Sequence, residues 1–284
     1  MASFSSRQWI AVSAGTVLFI SLFFINRKAP AKAADSSQPS AHAGKGVSFE
    51  QILADAMMQV SGNQRNDIKK LDDKLAAVSG SDQPPIIKSI INIYDSLGDE
   101  LPATYYMEKL AAVQSDARLW YHAGDRYYRL IQVVKPDAHD AVLQRALDCF
   151  NKSLVIDSTN ADARVGAGQC MVQQGQNPMQ GIMRIESVLK KDSNNEKAQI
   201  ALGAFSVQSA QYPKAIYRFN RVLKIDPSYI EAYLYLAETY EGMGNKKEAV
   251  FNLEKYCTFV KDTAIKSQVS SYIQKLKGDT IQKN

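Results

Sequence analysis

Three histidines, three cysteines and one glycine turn followed by lysines are the residues of this chain whose types could do chemistry. Histidine and cysteine hold metal when they recur at short paired spacings. His42, His122 and His139 show no such spacing, and Cys149, Cys170 and Cys257 lie far apart, so the set reads neither as a metal site nor as a disulfide framework. Each cysteine sits in an apolar helical stretch, where a free thiol packs as a small hydrophobe. The stretch EGMGNKKEA (Glu241 to Ala249) offers Gly242 and Gly244 with lysines behind them. A phosphate-cradling loop follows a strand and needs Gly-x-x-x-x-Gly-Lys-Ser/Thr, whereas this stretch follows a helix and lacks that pattern. Asp72 and Asp73 are adjacent acids on a helix read as solvent-facing there. No Ser-His-Asp or Cys-His signature is present. The expectation is a non-enzymatic chain with no catalytic residue, no cofactor and no metal.

What must position the remaining side chains is a repeat. AYLYLAETYEGMGNKKEA (Ala232 to Ala249) sets small residues at fixed offsets from large ones across a turn. About 34 residues upstream, AQIALGAFSVQSAQYPKA (Ala198 to Ala215) puts Leu202-Gly203 where Leu236-Ala237 fall and Ala215 where Ala249 falls. ARVGAGQCMVQQGQNPMQG (Ala163 to Gly181) carries Ala167-Gly168 and Gly175. WYHAGDRYYRL pairs with ALDCFNKSLVID across the insertion IQVVKPDAHD, and INIYDSLGDELPATYYMEKLAAV is a degenerate copy with Gly98 at its turn. Small residues at a helix crossing let two helices approach while large ones fill the hollow beside them. One such unit cannot bury its own apolar face, so several must stack.

Helix, tight turn, helix, at this period and with these offsets, resembles the tetratricopeptide repeat. Leu202, Gly203, Ala215, Phe219, Val222 and Pro227 match one copy; Trp120, Ala123, Gly124, Tyr127, Ala146 and Phe150 match another. The resemblance implies an all-α, right-handed superhelical solenoid. Repeats are expected at about 84–116, 117–160, 161–195, 196–229 and 230–261, within a repeat region of 81–261. A helical hairpin over 47–80 would cap the first repeat, through Phe49, Ile52, Leu53, Ala56, Met57 and Val60 and then Ile68, Leu71, Leu75 and Val78. An amphipathic helix over 262–277 would cap the last, with a tail at 278–284.

In this family the first helix of each pair lines a concave groove, and the resemblance carries that role onto the face away from the small crossing residues. The first set is Arg118, Tyr121, His122, Asp125, Tyr128 and Arg129. The next is Asp162, Val165, Gly166, Gln169, Val172 and Gln173, followed by Lys197, Ile200, Ala201, Ala204, Val207 and Gln208. The last is Glu231, Leu234, Tyr235, Glu238 and Glu241. The groove is expected to be apolar in its middle, aromatic and basic at its early end, and acidic at its late end. It would take a protein partner's peptide or helix segment with an apolar centre. The competing reading is that Val165, Ile200 and Val207 pack within the superhelix or against the chain's own N-terminal segment.

WIAVSAGTVLFISLFFI (Trp9 to Ile25) contains no charge and has no polar face. After a short tail at 1–8 it reads as a single N-terminal transmembrane helix; a signal cleaved near Ala33 is the alternative. Arg27, Lys28 and Lys32 on its far side favour repeats in the cytoplasm, with the bacterial periplasm as the other possibility. Residues 26–46 are rich in Ala, Ser, Pro and Gly and read as a flexible, disordered linker. The 284 residues carry a net charge of +5 spread over helix faces, which speaks against a nucleic-acid partner. The functional expectation is a membrane-anchored scaffold or adaptor. The alternatives are a self-associating structural protein and a secreted binding protein.

Overall fold

The computed structural model describes residues 47–281, with side chains to 278. The expected anchor at 9–25 and linker at 26–46 lie outside the described residues. Among the described residues no helix is long and apolar enough to cross a membrane. The chain divides into two compact units, one of which holds residues 44–256.

In that unit the helices are α1 (Phe49–Met58), α2 (Gly62–Ala77), α3 (Gln83–Leu97), α4 (Glu100–Gln114), α5 (Ala117–Leu130), α6 (His139–Ile156), α7 (Ala161–Gln174), α8 (Pro178–Lys191), α9 (Glu196–Gln208), α10 (Tyr212–Ile225) and α11 (Glu231–Gly242). α12 (Lys246–Phe259) begins in it and runs past its end. No strand occurs among the described residues. Helices pack as consecutive pairs, α3 on α4, α5 on α6, α7 on α8 and α9 on α10, and the first helix of one pair touches the first helix of the next from α5 to α11.

Local chemistry sets the pairing. Between pairs, an aspartate side chain accepts a backbone N–H two residues on: Asp157 from Thr159, Asp192 from Asn194 and Asp226 from Ser228, at 2.9, 2.9 and 2.8 Å. Asn160 and Asn195 then cap α7 and α9 by accepting the amides of Ala163 and Ala198, each at 2.9 Å. Asp116 caps α5 in the same way. Within pairs, the turns close on left-handed glycines, Gly98 after α3 and Gly175 after α7.

The small-to-large offsets are resolved as ring-in-slot packing. Phe150 on α6 is 2% exposed and lies between Gly124 of α5 and Gly166 of α7. A Cβ built at Gly166 would stand 2.4 Å from its ring, and one at Gly124 would stand 2.9 Å away. Gly203 makes the same room for Phe219, and Gly168 for Ile185.

α1 and α2 do not form a closed hairpin. Phe49 and Leu53 of α1 join the core built around Trp120, Tyr127 and Phe150, while Ile68, Leu71 and Leu75 of α2 join the one built around Ile87, Ile90 and Tyr106. Val60 between them is buried and belongs to the second of these cores, while Met57 at the end of α1 packs against both. Asp72 is half-buried rather than free in solvent, because it accepts the Tyr106 hydroxyl at 2.7 Å. The insertion folds back locally: Ile131 and Ala138 are buried, Val134 is half-buried, and Val133 is 62% exposed.

The second unit includes residues 257–284. Its α13 (Thr263–Ile281) is capped by Asp262, which accepts the amides of Ala264 and Ile265 at 2.8 and 3.1 Å. Its buried residues Ile265, Val269, Ile273 and Leu276 share one helical face.

Candidate functional site

The face carried by α5, α7, α9 and α11 collects most of the expected groove residues. Arg118, His122, Arg129, Gln173, Lys197 and Gln208 are exposed. Tyr121, Asp125, Tyr128 and Gln169 are half-buried, as are Ile200, Ala204 and Val207 on α9 and Leu234, Tyr235, Glu238 and Glu241 on α11.

Three of these residues from successive pairs meet. Lys197 donates to Asp162 at 2.6 Å and also to the Tyr121 hydroxyl, so one ammonium ties α5, α7 and α9 together. Burial lowers the basicity of Lys197, but the hydrogen bonds to Asp162 and Tyr121 outweigh it and leave the pKa raised. Burial also raises Tyr121, against the opposing effect of Lys197. The ammonium therefore stays charged and the phenol neutral at neutral pH. At the early end, Arg129 pairs with Asp125 at 3.3 Å, and the His122 ring lies 5.2 Å from that of Tyr121.

Other expected groove residues go elsewhere. Val165 is 2% exposed in the core with Ile185, Ala198 and Leu202, so it does not reach the surface of the groove. Gly166 is covered by Phe150, and Ala201 is 2% exposed. Val172 and Gln208 line a different cleft, beside Pro178 and Lys214. Tyr235 stacks on Phe219 with ring centroids 5.2 Å apart. The physical reason is common to all six: a first helix is contacted on several sides, by its own partner helix and by both neighbouring pairs. Only the narrow strip left between those contacts faces out. The apolar part of that strip is Ile200 and Ala204 on α9 with Leu234 on α11.

The tie joins three residues that the sequence places on this face without pairing them. Its signal is weak in the sequence: an aspartate and a lysine 35 residues apart at equivalent repeat positions. Cys149 and Cys170 are fully buried, and burial pushes both well above the usual cysteine range. Among the described residues no group of three or more His, Cys, Asp or Glu side chains could hold a metal ion.

Residues 207–244 match a family model described as a TPR repeat. Over those residues the chain is similar to a tetratricopeptide repeat. A solved tetratricopeptide repeat protein from Parabacteroides merdae is similar in fold, with a TM-score of 0.56 at 16% identity, covering 80% of this chain and 86% of that one. PilW, described as a widely conserved type IV pilus biogenesis factor, is similar with a TM-score of 0.53 at 20% identity, covering 69% of this chain and 86% of that one. No curated protein matches the chain in sequence. At these identities the likeness is one of fold.

Proposed function

We propose that this tetratricopeptide-repeat chain is a non-enzymatic scaffold that holds a segment of a partner protein on the α9–α11 strip. The observation that supports this most directly is the strip itself. Ile200, Ala204 and Leu234 form a half-buried apolar centre beside the charged Lys197 tie, with basic residues before it and glutamates after it. A segment with an apolar centre suits such a surface, and the tie would fix its register because three helices are locked before the partner arrives. The uncharged run Trp9 to Ile25 supports attachment to a membrane, with residues 26–46 as tether. The side of the membrane is left open by the charge count.

Affinity capture from gently solubilised membranes tests the reading. The wild-type chain is compared with Ile200→Lys, shown by circular dichroism to be folded. One or a few proteins should disappear with the variant. Recovery of the same proteins by both would refute the strip as a docking site. An intact mass of the native protein that lacks residues 1–33 would refute the anchor.

A further inference from the structure

Away from that strip, α8, the end of α9 and the start of α10 enclose an open cleft of about 510 Å³. Its floor is apolar: Val172, Ile182, Leu202 and Phe205. Its α10 wall carries two cations, Lys214 and Arg218. Among the described residues, neither forms an ion pair within 4.0 Å. The hydrogen bonds they donate go to neutral amides, Lys214 to Gln211 at 2.6 Å and Arg218 to Gln199 at 3.3 Å. Arg218 is half-buried, and burial holds its guanidinium below its usual pKa; Glu186, on the opposite wall, opposes this from a distance. Met179, which lines the cleft, is 67% exposed, and Met183 one turn on in α8 and Tyr217 beside Arg218 in α10 are 61 and 66% exposed.

We infer that this cleft is a second docking site, for a partner peptide segment that puts a bulky apolar side chain on the floor and a carboxylate against Arg218 and Lys214. Three observations fix the occupant. The cavity is of a size to hold a large side chain with its backbone. The two cations lack a carboxylate partner, and a half-buried guanidinium gains most from a bidentate acid. The cleft is open, and the exposed Met179 in its lining, with exposed Met183 and Tyr217 on the same two helices, suits a peptide chain rather than an isolated small molecule. The chain's own 26–46 segment is a poor occupant, because it carries Arg27, Lys28, Lys32 and Lys45 against the single acid Asp35.

The test is selection of peptides from a random displayed library on the full chain, with affinities read by fluorescence anisotropy. The variants are Arg218→Glu, the exposed Lys214→Glu, and Ile200→Lys. The expected result is a set of peptides sharing a bulky apolar residue next to Asp or Glu. Their affinity should fall about tenfold or more with either charge reversal, in keeping with loss of a charge-assisted hydrogen bond. It should fall similarly when the peptide acid becomes an amide, and hold with Ile200→Lys. The use of two variants guards against misfolding of Arg218→Glu. Peptides without an acid, peptides indifferent to both reversals, or no enrichment would each overturn the inference. Dependence on Ile200 alone would overturn it while leaving the α9–α11 strip standing. A dimer seen by light scattering in wild type and lost in Lys214→Glu would assign the cleft to a second copy, and also overturn it.

Discussion

Replacing Gly166 with alanine should destabilise the repeats, although alanine is the better helix former. Gly166 lies inside α7, where removal of a glycine gains up to about 1 kcal/mol in helix propensity. The new Cβ would sit 2.4, 2.6 and 2.7 Å from three atoms of the Phe150 ring. Ordinary carbon contacts need roughly 3.5 Å or more, so the ring must move by about 1 Å. Its movement toward α5 is limited, because the ring already lies so close to Gly124 that a Cβ there would be only 2.9 Å from it. Overpacking of a clamped ring falls at the upper end of the usual range, about 3 kcal/mol. The net expectation is a loss of about 2 kcal/mol.

Urea unfolding of the full chain, followed by circular dichroism, reads that loss, and hydrogen exchange in α5 to α7 localises it. Gly175→Ala separates sterics from backbone strain. Gly175 has φ +73° with nothing within 4 Å of an added Cβ, so it should lose only the left-handed penalty of about 1 kcal/mol. Phe150→Leu supplies the second arm. Alone it opens a cavity and costs about 1 kcal/mol or more. Combined with Gly166→Ala it should cost less than the two singles together, since the shorter side chain vacates the contested space. A Gly166→Ala variant as stable as wild type, or a strictly additive double variant, would refute the ring-in-slot account.

Tyr106→Phe removes the 2.7 Å bond to Asp72 that joins α4 to α2, and should lower stability by about 1 kcal/mol with faster exchange in α2; an unchanged urea midpoint would contradict this. The buried tyrosines set an alkaline limit. Burial, with Asp72 and Asp99 adding to it, pushes Tyr94 up to about 12, and burial raises Tyr106 and Tyr127 further. A phenol whose folded pKa is raised favours the folded chain while it is neutral. That contribution is whole below the ordinary tyrosine value of about 10, and is lost as pH climbs from there toward the folded value. Stability should thus hold through neutral pH and fall above about 10, with tyrosinate absorbance from these residues appearing only as the chain unfolds. Ionisation of every tyrosine near the ordinary value in a chain that stays folded would contradict the burial.

The parts of the fold that were legible are those written in residue types at short range. Gly124, Phe150, Gly203 and Phe219 announce a close crossing because only glycine tolerates a ring at that distance. The second-helix starts at Pro178 and Pro213 were legible because proline's missing amide costs nothing there. The capping asparagines Asn160 and Asn195 recur in the same way and were there to be read. Helical period alone did not separate Val165 from Ile200, since both lie on the face opposite the small residues. Their fates differ because Val165 is closed over by Ala198 and Leu202 of the next pair, whereas Ile200 is left half open. That depends on how neighbouring pairs stack, which no window of one repeat contains. The bond from Lys197 to Tyr121, across 76 residues, depends on it too.

The same dependence hides the cleft role of Lys214 and Arg218 from the sequence. Read locally, they are ordinary charges on the solvent side of an amphipathic α10. Once α8 and α9 are packed beside them, they become the cationic wall of an apolar cleft, and Arg218 is half withdrawn from water with only an amide to bond. Withdrawing a guanidinium costs free energy that a carboxylate partner would offset and an amide offsets less well. On the α9–α11 strip that cost has been met internally, because Lys197 already holds Asp162. The two surfaces are thus opposite cases of one problem. An acidic segment arriving at the strip must displace Asp162 before it gains the ammonium, whereas at the cleft the carboxylate present, Glu186, acts on Arg218 only from beyond ion-pair distance. Acidic character in a partner should therefore matter more at the cleft than on the strip, where shape and apolar contact decide.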